Sequence, residues 1–87
     1  MKKINFGIDC DPFCRNQQVF IDKVNTEIIA DPERAAVCVS KCFGAWEFVA
    51  TISEEERTKI WNLMNEYYND SMCRGAYCED PWENNNQ

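Results

Sequence analysis

The stretch 31–43, Asp-Pro-Glu-Arg-Ala-Ala-Val-Cys-Val-Ser-Lys-Cys-Phe, decides how the middle of this 87-residue chain folds. It opens with an aspartate that can accept a hydrogen bond from early helix N–H groups. The proline that follows suits the first helical position, where its missing donor would be unsatisfied anyway. Ala35, Ala36, Cys38, Val39, Cys42 and Phe43 then fall on one side of a 3.6-residue winding, and Gly44 stands where a helix would stop. The spacing predicts a helix over 32–43.

Asp-Pro recurs at 11–12 and 80–81. After Asp11-Pro12, the residues Phe13, Cys14, Phe20, Ile21, Val24 and Ile28 share a stripe and predict a helix over 12–29. A hairpin with arms 18–24 and 27–30, turning at Asn25-Thr26, is the alternative for the same residues. Ser53-Glu54-Glu55-Glu56 is a capping box, in which the serine and the third-position glutamate satisfy each other's backbone donors. From 54 to 70, Ile60, Trp61, Leu63, Met64, Tyr67 and Tyr68 lie on one arc, opposite Glu55, Thr58, Lys59, Asn62, Asn65, Glu66, Asn69 and Asp70. Residues 45–52 suit either strand alternation or a helical turn, and 3–8 could supply a short partner strand. The expected fold is mainly α, a three-helix domain (12–29, 32–43, 54–70) with a short strand pair (3–8, 45–52). The alternative is an α+β chain with the N-terminal hairpin. One compact domain is expected over 1–78, followed by a polar, acidic tail over 79–87 that ends in Asn84-Asn85-Asn86-Gln87.

Met1-Lys2-Lys3 leads into a segment too short and too polar for a signal-peptide core, and Lys41 and Glu47 interrupt the most apolar run, 35–52. The expectation is a cytoplasmic protein without a membrane segment, in a compartment where thiols stay reduced unless catalytic or metal-bound. Six cysteines therefore need an account. Two Cys-x3-Cys pairs, Cys10/Cys14 and Cys38/Cys42, invite a helical hairpin closed by two disulfides. Helix lengths oppose it: from a turn near 30–31, Cys14 lies ~25 Å up one helix, and Cys42 ~17 Å and Cys38 ~11 Å up the other. A disulfide spans Cα separations only up to about 7 Å. If 45–52 returns extended and helix 54–70 rises again, Cys73 and Cys78 arrive beside the first helix start. Cys10, Cys14, Cys73 and Cys78 could then hold a structural zinc, since a chain without histidine needs a thiolate-rich site, or could form disulfides, or could remain as thiols. Cys38 and Cys42 read as small hydrophobes on the apolar side of their helix. Cys14 near a helix N-terminus could have a lowered thiol pKa, but no Cys-x-x-Cys redox motif is present.

The missing histidine also removes the commonest general base and the Ser/His and Cys/His nucleophile systems, and none of the three glycines forms a phosphate loop. The chain is expected not to be an enzyme. Its net charge of −6 lies wholly in residues 44–87, which hold nine acids against Arg57, Lys59 and Arg74. Such a charge opposes direct nucleic-acid binding and attracts a basic protein surface. Glu66, Asp70, Glu79, Asp80 and Glu83 descend toward the C-terminus with Tyr77 and Trp82 among them, and these seven are the candidate partner-binding residues. Aromatics of this kind anchor either the tail on its own domain or a partner. The functional expectation is an acidic inhibitor or antagonist that occupies a basic surface, with nucleic-acid-handling machinery as a candidate target, by analogy with virus-encoded proteins that imitate DNA. The alternative is a small zinc-stabilised structural or adaptor domain.

Overall fold

The computed structural model of the chain describes residues 1–10 and 16–83. Strand β1 (Lys2–Asp9) is followed by helix α1 (Asn16–Lys23), which widens into a π-helical segment (Val24–Ile29). A single 3-10 turn (Pro32–Arg34) precedes β2 (Val37–Cys42), β3 (Ala45–Ile52), α2 (Glu54–Asn69) and β4 (Gly75–Cys78). The four strands form one antiparallel sheet in the order β2-β3-β1-β4. Since β3 separates β1 from β2, and β1 separates β3 from β4, each helix links two parallel strands that have a third inserted between them. This is the split β-α-β arrangement of ferredoxin-like domains.

The chain is thus α+β, and the mainly α three-helix fold is overturned. The correction begins at 32–43. Asp31 does start a turn, its side chain accepting the Glu33 N–H at 3.0 Å, but only three residues wind. Two side chains then draw the chain outward. The Arg34 guanidinium donates to the Thr51 carbonyl at 3.0 Å and to both oxygens of Glu56 at 3.1 and 3.0 Å. Asn25 Oδ1 accepts the Ala36 N–H at 2.8 Å. Past that point Val37–Cys42 pairs with β3 as an edge strand, with Val39 bulged out of register. Of the positions that resembled a helical face, Val39 is exposed by 57% and Phe43 by 86%, and only Ala36 and Cys38 pack against the core.

The alternative hairpin over 18–30 is overturned as well, because this segment is helical throughout. Its last turns widen where the Thr26 hydroxyl donates to the Asp22 carbonyl at 2.8 Å, and the Ala30 N–H reaches back five residues to Asn25 O. Ala30, left-handed at φ 53°, ends the run. The expected helix start at Asp11-Pro12 and the last residues of the tail lie outside the described residues.

The strand pair forms with β3 at its expected bounds and β1 one residue longer at each end, Lys2–Asp9 opposing Ala45–Ile52 residue for residue. Alternation sends Ile4, Phe6 and Ile8 of β1, and Phe48, Ala50 and Ile52 of β3, to one face, where all six are buried. Both helices cover that face. Phe20 of α1 meets Phe6 and Phe48 with ring centroids 6.3 and 6.2 Å apart, and Tyr67 of α2 meets Phe20 at 5.8 Å. Ile60 and Met64 complete the layer without exposure. Among the described residues no helix covers the opposite face. Neither rim of the sheet is a plain edge: β2 carries the Val39 bulge and Lys41, while the Arg57 guanidinium takes the Cys78 and Glu79 carbonyls beside β4 at 2.8 and 3.0 Å. No described helix is long and apolar enough to cross a membrane.

Helix α2 begins as its sequence predicts. Ser53 Oγ accepts the Glu56 N–H at 3.2 Å, and Glu56 Oε1 accepts the Ser53 N–H at 2.9 Å. The same carboxylate receives Arg34, whose hydrogen bonds hold it below its ordinary 4.5 against an opposing effect of burial, with the Ser53 N–H adding to the lowering. A carboxyl whose folded pKa is depressed contributes stability above its unfolded value and loses it as pH falls through the folded one. Glu56→Gln should therefore be less stable than the parent at pH 7, and the gap should close as pH drops below 4.5. Urea midpoints across a pH series measure this; a gap independent of pH would refute the role given to the ionised carboxylate.

Candidate functional site

The cysteines do not gather as expected. Register places Cys78 opposite Phe6, whereas Cys10 lies four residues further along β1, ~13 Å away at the rise of an extended strand. Cys10 and Cys73 are buried near the far end, and the Cys73 thiol donates to Gly75 O at 2.8 Å. Cys14 lies outside the described residues. Among the described members of the expected set Cys10, Cys14, Cys73 and Cys78, the structure does not bring Cys78 to Cys10, because β4 runs extended and carries it away. Among the described residues no group of three or more side chains could hold a metal ion. Burial pushes the Cys78 thiol up to about 11, so it stays protonated at neutral pH and is a poor nucleophile. Cys38 faces the core side of β2 opposite Phe48, and the bulge turns Cys42 outward opposite Ala45.

The seven partner-binding candidates are also spread. Glu66 lines a shallow groove with Lys23, Glu27 and Lys59 on the α1 side of α2, and Asp70 caps the end of that helix. Residues 79–83, the described part of the chain after β4, dock on their own domain. The Glu79 N–H donates to the Asn5 carbonyl at 3.1 Å, and the Glu79 carboxylate accepts the Asn5 N–H at 2.7 Å. Asp80 pairs with Arg57 at 3.6 Å and accepts the N–H groups of Trp82 and Glu83. Trp82 is half-buried, with Lys2 5.7 Å above its ring. Only Tyr77, Glu79 and Glu83 of the set remain exposed on this side.

Tyr77 leads to a feature that sequence reasoning missed. The uncovered sheet face presents Lys3, Asn5, Gly7 and Asp9 of β1, flanked by Ala45, Glu47, Val49 and Thr51 of β3 and by Gly75 and Tyr77 of β4. Glu47, Gly7 and Tyr77 form one row across three strands, and the Tyr77 hydroxyl donates to Glu47 Oε1 at 3.3 Å over the glycine. A β-carbon at Gly7 would lie 2.8 Å from both the Trp46 carbonyl oxygen and Tyr77 Cε1. In the next row Ala45, Asp9 and Gly75 stand side by side, and Arg74 donates to Asp9 at 3.1 Å. Small residues in adjacent rows leave a shallow depression of about 190 Å³ bordered by Tyr77, Glu47 and Asp9. Burial and the neighbouring Glu47 carboxylate both raise the Tyr77 pKa, so its hydroxyl remains a donor at neutral pH.

At the same end of the sheet the β2–β3 turn consists of Phe43 and Gly44. Phe43 has φ 56° while Gly44 does not, so the aromatic occupies the left-handed first position where glycine is usual in type II′ turns. The turn is held from beneath: the Gly44 carbonyl accepts the Cys10 N–H at 2.9 Å and the side-chain amide of buried Gln17 at 3.1 Å. An interior glycine in a strand is a sign of close backbone approach, and Gly7 offered that sign. The row that joins it to Glu47 and Tyr77 exists only once the register is known. No family model matches this chain, and neither the curated proteins nor the solved structures give a match.

Gly7→Ala should cost about 1–3 kcal/mol, because a backbone carbonyl must move to admit the methyl group. Adding Tyr77→Ala should not restore stability, and full recovery in that double variant would show that only the ring was crowded. Phe43→Gly should instead stabilise by about 1 kcal/mol through relief of the left-handed aromatic. A thermal melt compares all three.

Proposed function

We propose that this chain is a non-enzymatic acidic protein that binds a basic surface of another protein and blocks it. The supporting observation is the disposition of its arginines. Arg34 is committed to Asp31 and Glu56 and Arg57 to Asp80 and two carbonyls, while Arg74 makes a more exposed pair with Asp9. Every described arginine thus faces the chain's own oxygens, while Glu54, Glu55, Glu66, Asp70 and Glu83 are exposed. The net charge of −6 accordingly belongs to the surface a partner meets, and it speeds encounter with a basic one.

Machinery that handles nucleic acid offers such basic surfaces, which is the sense in which the protein would imitate a nucleic acid rather than bind one. RNA-binding sheets of related topology stack bases on aromatic side chains of their open face. Here the corresponding positions of the central strands are Asn5, Gly7, Glu47 and Val49, with no aromatic among them.

A deca-arginine peptide bound to a labelled DNA duplex provides the test. The protein should displace the duplex, and its affinity for the peptide should fall about tenfold or more between 50 and 200 mM salt. The combined variant Glu66→Gln, Asp70→Asn, Glu79→Gln and Glu83→Gln should displace about tenfold less well. Asp80 is kept because Arg57 needs it. Unaltered displacement and salt dependence in the variant would sink the proposal.

A further inference from the structure

Resting on that reading of a binder of basic surfaces, we propose that the depression over Gly7 is a socket for one arginine side chain of the partner. Its floor is made of Gly7, Ala45 and Gly75, which present nothing larger than a methyl group. Such a floor suits the methylene stem of a long cationic side chain, whose head then reaches the polar rim. One wall is the Tyr77 ring, 43% exposed, an aromatic surface on which a guanidinium can stack. The neighbouring Glu47 carboxylate is oriented by the Tyr77 hydroxyl at 3.3 Å and offers a planar acceptor for the guanidinium fork. Asp9 adds a second carboxylate on the far rim, its Arg74 partner being a solvent-exposed pair that competes weakly.

Size favours a single side chain. Pockets for whole small-molecule ligands run from about 300 Å³ upward, and this one holds about 190 Å³. The geometry favours arginine over lysine, because stacking and two-point contact with a carboxylate both require a planar head. Phe43 stands one residue beyond the row of Cys42, Ala45, Asp9 and Gly75, exposed on a turn that Gln17 and Cys10 hold in place. It supplies an apolar contact next to the socket, so that a partner presenting an arginine beside an apolar hollow would meet both.

The test is a titration of isotope-labelled protein with acetyl-Gly-Arg-Gly-amide, followed by amide chemical shifts. Saturable shifts should be confined to Gly7, Glu47, Gly75, Tyr77 and their strand neighbours, with a dissociation constant on the order of 1 mM. Glu47→Gln, which preserves an acceptor for Tyr77, should weaken binding at least about fivefold, and Glu55→Gln on the far side of α2 should leave it unchanged. The lysine analogue should bind more weakly. Shifts that scatter over the acidic surface, equal binding by the lysine peptide, or indifference to Glu47→Gln would each overturn the socket. Any of these combined with retained, salt-dependent binding of deca-arginine would leave the broader function standing, whereas loss of that binding as well would remove both.

Discussion

The pairing of β1 with β3 is the constraint on which the rest of the molecule depends. Eight residues of each strand oppose one another without a break, and alternation makes the register all-or-none: a slip by one residue would turn Ile4, Phe6 and Ile8 to solvent. The correct register sets Phe6 against Phe48 with centroids 5.4 Å apart, and Phe20 closes over both. Everything else attaches to this pair. Strand β2 adds to the free side of β3, β4 adds to the free side of β1, and the two helices bury the apolar face that the pair creates. The same register, read on the other face, sets Gly7 between Glu47 and Tyr77. Core and depression are two sides of one alignment.

How much of this could be seen in the sequence follows from which residues are constrained. Helix α2 was legible because a capping box and a buried arc agree, and its bounds fall within a residue of those predicted. The central strands were legible as a pair because each buries every second side chain. The stretch 32–43 was not, and the reason is physical. In this edge strand the bulge at Val39 breaks the alternation and only Cys38 turns toward the core, so no face is consistently apolar, and the accidental helical spacing of Ala35, Ala36, Cys38, Val39, Cys42 and Phe43 was free to mislead. Strand β4 was equally hidden, being four residues long and beginning with glycine. The depression was less legible still, since it is assembled from single residues of three strands far apart in the chain.

Electrostatics divides along the same lines. Arg34 and Arg57 each fasten helix α2 to another segment: Arg34 ties its loop to the capping box, and Arg57, on the helix itself and 5.4 Å over the ring of Trp61, holds the Cys78 and Glu79 carbonyls and Asp80 of the segment after β4. Their partners are the acids that packing requires, not those that remain outside. The cation side of the charge balance is thus drawn inward to fasten the fold, leaving the lysines and the unpaired carboxylates to define what an approaching molecule meets.

The treatment of the two sheet rims has a further consequence for how recognition can change over time. A strand with open backbone groups accepts almost any extended segment, because main-chain hydrogen bonds are indifferent to sequence. With Arg57 over the carbonyls beside β4, and a bulge and Lys41 on β2, that indiscriminate route is obstructed. What stays open is the set of side chains on the uncovered face, where substitutions at Glu47 or Tyr77 alter the surface without touching the packed layer beneath. On the proposed reading of a binder, point changes at Glu47 or Tyr77 would retune such a domain from one target to another with its packed layer left intact.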